Sequence, residues 1–363
     1  MASAAAAGMY RLHVNVSPSG RQGPYTLDTS YTGTVPSSRT LAGPGPGPGN
    51  ANLVRIFDAS AVMRAEIVAF AAGNSGTNVG AGDVDGDGSG EVLAGPGPGP
   101  TFGPQVRGFE SSTMPINGVN YYAYGTLRYG VKVSAGDLDG DAIDEIVSTP
   151  GAGGVFGPHV RGWNYDGAAL SPMKNVSFFA FGTLKWGANG ATAELAGGGA
   201  REILAAPGPG PAFSSNVRGF TVQPGGVTSL LALVASNTYY GATVAGPDVD
   251  VDGFDEILVG GGPGPNVFQQ IWTFNYDGSA VSALPGGSMV VFPVPRYGIW
   301  VAGSDWTGDG TADTQVGLGP DPAVDGRLRA FRYAGGAYTM IAGSDFLAYT
   351  TTYGATVAGG SMP

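Results

Sequence analysis

Apolar and polar residues alternate along most of this chain in short runs that are separated by turns rich in glycine and proline. In one unit the runs span Asn78 to Ala81, Glu91 to Ala94, Gln105 to Phe109 and Asn120 to Tyr124. Alternation with a period of two is typical of β-strands, and no helical periodicity lies between the runs. The pattern therefore predicts an all-β protein whose unit contains four short strands.

The unit recurs about every 55 residues along the chain. Each unit opens at a glycine, and the openings are Gly76, Gly130, Gly187, Gly241 and Gly298, followed by a last stub at Gly354. Four antiparallel strands in a repeat of this length are typical of one blade of a β-propeller.

The two ends of the repeat complement each other. Residues 354 to 363 supply only a first strand, whereas residues 39 to 75 supply only the other three. Joined, they would complete one blade and close the ring without an exposed strand edge. We predict a single domain over residues 39 to 363, a six-bladed β-propeller closed by pairing of the N- and C-terminal segments. Seven blades, with Met9 to Ser37 in the additional one, are the alternative, although that segment lacks the repeated motifs.

Residues 1 to 38 form an arm outside the repeat, and Met9 to Val16 alternates like a strand. We expect this arm either to pack on the domain or to reach a neighbouring molecule. In the second case it would join copies of the chain into a homo-oligomer.

An acidic loop follows the first strand of each unit. In loop 1 (residues 83 to 91) oxygen-bearing side chains occupy positions 1, 3, 5 and 9, and alternate residues of a tight loop point to one centre. Oxygen ligands without His or Cys select Ca²⁺ over zinc or copper. The predicted ligands of loop 1, loop 2 (137 to 145) and loop 4 (248 to 256) are Asp83, Asp85, Asp87, Ser89 through its carbonyl, Glu91, Asp137, Asp139, Asp141, Glu145, Asp248, Asp250, Asp252 and Glu256.

Two further copies of the loop are altered. Loop 5 (305 to 313) offers Asp305, Thr307, Asp309 and Asp313, so a hydroxyl replaces one carboxylate and weaker binding is expected. Loop 3 (194 to 202) keeps only Glu194 and Glu202, and we expect no metal there. The sequence thus predicts about three strong calcium sites and one weaker site.

These loops account for the charge of the protein. The net charge is −11, with 28 acidic and 17 basic residues, and the three intact loops hold four carboxylates each. No basic patch remains, so we expect no nucleic-acid partner. No apolar run reaches the length that crosses a bilayer, so we expect no membrane insertion. The chain has no Cys, and its start lacks the features of a signal peptide; we expect a processed chain that is secreted or displayed at the cell surface.

The loop and the strand that follows it, GDVDGDGSGEVLAGPGPGP, resemble the FG-GAP or VCBS-type repeat of integrin-α-like propellers. The resemblance covers residues 39 to 363 and implies a calcium-binding propeller in which the ion lies between the first two strands of a blade. The chain departs from the family pattern in the final Glu of three loops, in loop 3 and in its regular Gly-Pro-Gly-Pro corner. Adhesion proteins, lectins and non-catalytic modules of secreted proteins share such repeats.

Two other positions recur. The third strand carries an Arg in five units, as in Val106-Arg107-Gly108-Phe109. One possibility is a structural bond from its guanidinium to a loop carboxylate or to a corner carbonyl, and the other is that the guanidinium faces a ligand. An aromatic residue precedes most unit openings, and it either fills the seam between blades or stacks on a sugar ring. The residues that would contact such a ligand are Tyr129, Trp186, Tyr240, Tyr297 and Tyr353.

Catalytic motifs are lacking in the sequence. His13 and His159 are its only histidines, and it contains no nucleophile, phosphate-loop or zinc motif. We therefore predict a non-catalytic scaffold for binding or adhesion, with a glycan or a protein at the cell surface as its ligand. A carbohydrate-binding lectin and a structural subunit of a surface assembly, joined through the arm, are the alternatives.

Overall fold

A computed structural model describes residues 37 to 100, 102 to 182, 185 to 293 and 296 to 362. This part of the chain forms 25 β-strands and contains no helix, and hence none that could span a membrane. Most of the N-terminal arm, including His13 and the strand expected from Met9 to Val16, lies outside the described residues.

The strands form six separate antiparallel sheets. Blade 1 consists of β4 (Thr77–Gly82), β5 (Glu91–Pro96), β6 (Gln105–Phe109) and β7 (Pro115–Tyr122). Blade 2 consists of β8 (Val131–Gly136), β9 (Glu145–Pro150), β10 (His159–Tyr165) and β11 (Leu170–Phe179). Blade 3 consists of β12 (Ala188–Ala193), β13 (Glu202–Pro207), β14 (Asn216–Gln223) and β15 (Gly226–Val234).

Blades 4 and 5 follow the same order of strands. Blade 4 consists of β16 (Ala242–Ala245), β17 (Ile257–Gly261), β18 (Gln270–Tyr276) and β19 (Val281–Val290). Blade 5 consists of β20 (Ile299–Ser304), β21 (Asp313–Leu318), β22 (Asp325–Ala334), β23 (Ala337–Met340) and β24 (Phe346–Thr352). Its outer strand is divided, because β23 and β24 pair with successive parts of β22.

The sixth blade is shared by the two ends of the chain. It contains β1 (Ser37–Pro44), β2 (Leu53–Phe57), β3 (Met63–Val68) and the C-terminal strand β25 (Ala355–Met362). β25 is the innermost strand of this blade and pairs with β1 from Ser37↔Met362 to Pro44↔Ala355. Residues 37 and 38, assigned to the arm by the sequence pattern, thus belong to a strand of this blade.

The inner strands form a closed circle, since β4, β8, β12, β16, β20 and β25 each contact the next and β25 contacts β4. The protein is a six-bladed β-propeller, as predicted. Among the described residues the circle closes without a gap for a seventh blade, and nearly all of the segment considered for one, Met9 to Ser37, lies outside them. The prediction was inaccurate for the outer strand of blade 1, which ends at Tyr122 and leaves Ala123 and Tyr124 in the following turn.

The hydrophobic core lies between neighbouring blades. In the seam between blades 1 and 2, Val106 and Val119 of one blade pack with Val131 and Ile146 of the next, and all four are fully buried. The second strand of each blade is covered on both sides, as in β5, where every residue is buried. Burial then decreases toward the rim, where β7 alternates between buried and exposed positions. This gradient explains why the second strands are mostly apolar or small, with a few buried polar residues such as Glu91, and the outer strands alternate.

Candidate metal loops and the two faces of the ring

Antiparallel strands place the connections of every blade on two opposite faces of the ring. The acidic loops and the turns between third and fourth strands share one face, which we call the loop face. The Gly-Pro-Gly-Pro corners and the aromatic-Gly turns share the other, which we call the corner face. A channel along the ring axis, lined by the inner strands, widens at the loop face to a cavity of about 390 Å³.

Loop 1 brings its four predicted carboxylates together. Asp83, Asp85, Asp87 and Glu91 each place one carboxylate oxygen within 4.8 Å of the others. Oxygens that coordinate one Ca²⁺ lie about 2.3 to 2.6 Å from the ion, so two of them on opposite sides are about 5 Å apart. The cluster in loop 1 therefore has the dimensions of a calcium site. Ser89 lies in the same loop and donates its N–H to Asp87 Oδ1 at 2.8 Å.

Loops 2 and 4 form smaller clusters. Asp137, Asp139 and Glu145 meet in loop 2, and Asp248, Asp250 and Glu256 meet in loop 4. The two remaining predicted ligands, Asp141 and Asp252, are outside these clusters. Asp141 Oδ1 accepts from the N–H of Ile143, and Asp252 Oδ1 accepts from the N–H of Phe254, both at 2.9 Å. The structure thus groups three acidic side chains in each of these loops rather than four.

In loops 1 and 4 the last carboxylate of the cluster is held from one side only. Glu91 Oε2 accepts from the N–H of Val84 at 2.7 Å, whereas Glu91 Oε1 is buried without a hydrogen-bond partner among the described residues. Glu256 repeats this arrangement, with Oε2 on the N–H of Val249 and Oε1 unpartnered. A buried carboxylate oxygen is costly unless it is paired, and a cation in the loop would pair it. The donor set therefore fits Ca²⁺.

The electrostatics of the loops agree with this fit. The pKa of Glu91 is raised to about 9, mainly by burial. Repulsion from Asp85 and Asp83 raises it further, whereas the hydrogen bond from the N–H of Val84 lowers it. The same causes raise the pKa values of Glu145 and Glu256 to about 8. Without a cation these loops favour proton uptake. With one, the carboxylates are favoured in their charged form.

In loop 5 the aspartate at the fifth position forms an ion pair. Asp309 pairs with Arg332 of β22, and the loop brings no group of three acidic side chains together in the described part of the chain. Thr307 donates its backbone N–H to Asp313 Oδ2 at 3.0 Å, and burial raises the pKa of Asp313 to about 6. Because Arg332 supplies a positive charge to this loop, the lower affinity predicted from Thr307 has a second physical reason.

Loop 3 keeps the backbone of a metal loop although it has lost ligands. Gly197 and Gly199 have φ values of 72° and 85°, like Gly86 and Gly88 of loop 1 at 75° and 87°. Glu202 Oε2 accepts from the N–H of Leu195 at 2.9 Å, as the final Glu does in loops 1 and 4. The backbone conformation therefore does not depend on the acidic residues at positions 3 and 5.

Contacts between consecutive loops were not anticipated from the sequence. Asp144, next to the final Glu of loop 2, accepts from the N–H of Asp83 at 2.9 Å and donates its own N–H to the carbonyl of Asp83 at 2.8 Å. Asp255 of loop 4 makes the same pair of bonds with Glu194 of loop 3. The signal available in the sequence was the Asp-Glu pair that ends loops 2 and 4. These bonds hold neighbouring loops together around the mouth of the channel.

The repeated Arg of the third strand connects neighbouring blades. In four blades its Nη1 donates to the carbonyl of the residue that directly follows the outer strand of the preceding blade. These bonds run from Arg107 to Ala69 at 2.5 Å, Arg161 to Ala123 at 2.7 Å, Arg218 to Ala180 at 2.9 Å and Arg329 to Val291 at 2.6 Å. Arg55 donates in the same way to Ala348, which lies within β24, at 2.6 Å. The expected structural bond is present, but its acceptor was predicted wrongly, since it is neither a loop carboxylate nor a corner carbonyl.

The aromatic residues before the unit openings lie on the corner face. Tyr129, Trp186, Tyr240 and Tyr353 have φ values of 70° to 73°, and each contacts a corner glycine of its own blade. Gly47, for example, has no room for a Cβ because the ring of Tyr353 would lie 2.1 Å from it. The rings thus support the corners. Trp186 is the most open of the five, with 38% of its surface exposed, while the other four, including Tyr297, are half-buried.

No protein-family model matches this chain, and neither does any curated protein. Solved structures resemble this chain at low sequence identity. A protein from Lactobacillus plantarum superposes with a TM-score of 0.50 at 13% identity, covering 84% of this chain and 81% of that one. A functionally unknown protein from Desulfotomaculum acetoxidans superposes with a TM-score of 0.49 at 12% identity, covering 91% of this chain and 90% of that one. The rhamnogalacturonan lyase YesW superposes with a TM-score of 0.39 at 15% identity, covering 82% of this chain and 60% of that one. At such identities the likeness concerns the fold alone, and the resemblance to FG-GAP repeats stays a prediction.

Proposed function

We propose that this protein is a non-catalytic, calcium-stabilised binding scaffold that works outside the cell and contacts its ligand through the corner face. The supporting observation is the difference between the two faces of the ring. The acidic loops occupy the loop face, whereas on the corner face an exposed apolar side chain recurs at the same position of five blades. The loop face also exposes apolar side chains, among them Val62, Met114 and Phe254, so the repetition around the ring is what favours the corner face as the one that contacts a partner.

The apolar positions on the corner face are equivalent in five blades. The last residue of each outer strand is apolar or aromatic and 49 to 60% exposed, namely Val68, Tyr122, Phe179, Val234 and Val290. Val155, Tyr239 and Phe268 add exposed apolar surface to the same face. Recurring exposed apolar surface is typical of sites that contact other molecules. Because similar positions repeat around the ring, a multivalent partner would gain avidity.

A non-catalytic role is supported by what surrounds the titratable groups. The acidic clusters are arranged as ligands of a cation, and carboxylates bound to a cation are weak general acids. His159 is hydrogen-bonded to Ser177 Oγ at 3.0 Å and stacks on Phe179 with ring centroids 4.6 Å apart, and burial lowers its pKa. Both contacts lie within its own blade, so His159 acts as a strand residue in this proposal.

A lectin is the second candidate, and Trp186 is the observation that favours it. Its exposed ring lies on the corner face beside the exposed Lys185, which suits stacking on a sugar ring with a hydrogen-bond donor nearby. Under this alternative a glycan array probed with calcium present identifies bound sugars. Trp186→Ala should abolish that signal, while Tyr353→Ala, in a half-buried copy of the same turn, should leave it intact. Equal loss in both folded variants, or no bound glycan, would contradict the lectin.

Calcium titration tests the metal part of the proposal. We expect isothermal titration of the EDTA-stripped protein to detect about three sites, and thermal melting to shift upward with added Ca²⁺. For each site at 100 times its Kd the stabilisation is about 2.7 kcal/mol. Asp85→Asn should remove one site, whereas Glu194→Gln in loop 3 should remove none. An unchanged melting curve after chelation would exclude structural calcium.

The corner face is tested by paired substitutions and a defined probe. Immobilised extracellular matrix glycoproteins, presented singly, serve as the protein ligands. We expect Tyr122→Ser with Phe179→Ser to weaken adhesion to a bound probe, and Val62→Ser with Met114→Ser, which removes exposed apolar surface from the loop face, to leave it unchanged. The opposite result would place binding on the loop face.

The assembly alternative requires the arm and is tested by its removal. Ser37 and Ser38 pair with β25, so the deletion that spares the fold ends at residue 36. If the arm joins copies, an oligomer should become a monomer in light scattering after this deletion. An unchanged mass would exclude a role of residues 1 to 36 in assembly.

A further inference from the structure

A pocket of about 360 Å³ opens at the corner face between the sixth blade and blade 1, and we call it the blade 1 pocket. It lies between the end of β3 and the ends of β6 and β7 on the corner face. Its volume falls in the range of about 300 to 1,000 Å³ that is typical of small-ligand pockets. None of the described residues that line it is acidic. Its aromatic, amide and charged side chains are those of Phe70, Phe102, Gln105, Arg107, Asn120 and Tyr122.

Four of these side chains stand on one face of blade 1. β6 and β7 pair Gln105 with Tyr122 and Arg107 with Asn120, and residues two apart on a strand point to the same side. Gln105 Nε2 donates to Asn120 Oδ1 at 2.7 Å. The bond leaves Gln105 Oε1 as an acceptor and Asn120 Nδ2 as a donor, since neither has a partner among the described residues. The array therefore offers a ligand both kinds of hydrogen bond beside a positive charge and an aromatic ring.

Arg107 carries a charge that blade 1 does not neutralise. Its Nη1 donates to the carbonyl of Ala69, and no described residue accepts from its other guanidinium nitrogens. In the sixth blade the equivalent Arg55 donates from Nε to Glu66 Oε2 at 2.7 Å, and Glu66 stands directly opposite it on β3. The register of blade 1 places the neutral Asn120 at that position. This arginine can thus pair with a carboxylate, and no described residue of blade 1 supplies one.

Tyr122 provides an open aromatic surface near this charge. Its ring is 58% exposed on the corner face. A Cβ added at Gly103 would lie 3.0 Å from Tyr122 Cε1, so the ring packs on the backbone of the corner. Tyr122 is diagonal to Arg107 in the pairing of β6 and β7, an arrangement in which the two residues are about 7 to 8 Å apart. A ligand of the size of one sugar ring can therefore contact both.

Blades 2 and 3 also have an arginine without a carboxylate partner among the described residues, but they lack this combination. In blade 2 the ring of His159 stacks on Phe179 with centroids 4.6 Å apart, so one face of Phe179 is occupied. Arg161 Nε of the same blade is buried. In blade 3 the outer strand offers only Ala232 and Val234 at these positions, so no ring is present. The open ring and the accessible charge meet in blade 1.

We propose that the blade 1 pocket binds a uronic acid residue of an acidic glycan, with its carboxylate on Arg107 and its ring against Tyr122. A guanidinium matches the planar geometry of a carboxylate, and an aromatic ring packs on the apolar face of a sugar. Gln105 and Asn120 bond its hydroxyl groups. An acidic peptide side chain would use the charge alone, because it has neither a ring nor hydroxyl groups. The inference rests on the proposed function, since the pocket opens at the corner face.

Titration calorimetry of the calcium-loaded wild type tests this ligand class. The probes are trisaccharides of galacturonic, mannuronic and guluronic acid, the methyl ester of each, and a peptide of three glutamates. We expect at least one acid trisaccharide to bind, and its ester, which lacks the charge, to bind about tenfold more weakly or less. Equal binding of acid and ester, equal binding of the peptide, or no bound trisaccharide would overturn the proposal.

Substitutions in the array test the assigned contacts. Asn120→Glu introduces the pairing that Arg55 and Glu66 already form, so it should keep the fold and weaken the acid trisaccharide by about tenfold or more. Arg107→Met should abolish binding. Its matched control is Arg218→Met, which loses the equivalent structural bond in blade 3 and should bind like the wild type. Wild-type affinity in Asn120→Glu would overturn the proposal even if Arg107→Met does not fold.

The ring of Tyr122 separates this inference from the wider proposal for the corner face. Tyr122→Phe should bind the acid trisaccharide like the wild type, and Tyr122→Ala should not; equal binding by both would overturn the stacking. If no trisaccharide binds but Tyr122→Ser with Phe179→Ser still loses adhesion to a glycoprotein, the pocket proposal fails and the corner face stands. If Asn120→Glu loses the trisaccharide while that pair keeps its adhesion, the pocket is supported and the apolar contact surface is not.

Discussion

Arg201 Nη1 lies 2.6 Å from Asp255 Oδ2, so an ion pair connects loop 3 to loop 4. Asp255 also accepts a hydrogen bond from the N–H of Glu194 in loop 3. Burial raises the pKa of Asp255, and the positive charge of Arg201 acts in the opposite direction. Loop 3 has lost two of its four ligand positions to Ala196 and Gly198. In this loop an ion pair with the next blade thus contributes a link that depends on no metal.

Arg201→Met should destabilise the protein by about 1 kcal/mol, because the pair is partly exposed and solvent weakens it. The effect should be the same in Ca²⁺ and in EDTA, measured by denaturant unfolding in both. Arg64→Met, which breaks the exposed pair with Asp58, is the control and should cost less. A loss that appeared only with Ca²⁺ would show that Arg201 acts through the metal sites.

The stability of the protein should depend on pH in opposite directions with and without calcium. Without it, the pKa of Glu91 is about 9 in the folded protein and about 4.3 in an unfolded chain. The folded state keeps a proton that the unfolded state loses, so stability falls as pH rises from about 4.3 through 9. With Ca²⁺ bound, protons compete with the ion, and the stabilisation by Ca²⁺ grows as pH rises.

Melting curves between pH 5 and pH 9, in EDTA and in Ca²⁺, check this prediction. Glu91→Gln should make the EDTA curve less steep because it removes one of three carboxyl groups with pKa values raised to about 8 or 9, the others being Glu145 and Glu256, whereas Glu66→Gln, on the rim strand β3, should not. A melting temperature in EDTA that rose steadily over this range would contradict the role assigned to the buried carboxyl groups.

Gly130→Ala should prevent folding or cost several kcal/mol. Gly130 has a φ of 70°, and an added Cβ would lie 2.0 Å from the carbonyl oxygen of Pro96, which is backbone and has little room to move. Gly125→Ala is the matched control, since its φ is 63° but no atom lies within 4 Å of the added Cβ. There the left-handed backbone alone should cost about 1 to 2 kcal/mol. Equal losses in chemical denaturation would show that backbone conformation, not the contact between blades, requires the glycine.

Arg218→Met should cost about 1 to 3 kcal/mol, because it leaves the carbonyl of Ala180 without its charged donor. The guanidinium also lies over the ring of Phe181, 5.1 Å from its centroid, and this contact is lost in part. Arg218→Lys keeps the charge but offers a different donor geometry, and its loss should be smaller. Urea unfolding measures both. An Arg218→Met variant as stable as the wild type would mean that the bond between blades adds nothing to stability.

Much of the fold could be predicted from the sequence pattern within single repeats. The alternating runs, the loop spacing and the complementary ends sufficed to predict six blades closed by β1 and β25, because each of these signals lies within one unit or at its border. The acidic clusters were also predictable, since their ligands are at most nine residues apart. What the loops bind and what the corner face contacts remain proposals with their own tests.

Contacts between blades were beyond the reach of that pattern. Arg218 was correctly expected to bond a structural acceptor, yet Ala180 is 38 residues away and on the preceding blade. The interlocking of Asp144 with loop 1 spans 61 residues. An alignment of the units shows that such positions recur, but not which neighbour they meet.

The sequence alone determined the strand order, the blade count and the acidic loops, because period, turn residues and ligand spacing are properties of short segments. Only the tertiary structure decided that Asp141 and Asp252 lie outside their clusters, that Arg332 meets Asp309, and that Lys132 and Trp300 face each other across the axis. The first is set by hydrogen bonds to residues two positions further along the same loop, and the second by how β22 lies beside the β20–β21 loop within blade 5. Only the third depends on how the closed ring positions one blade against another, which no local pattern specifies.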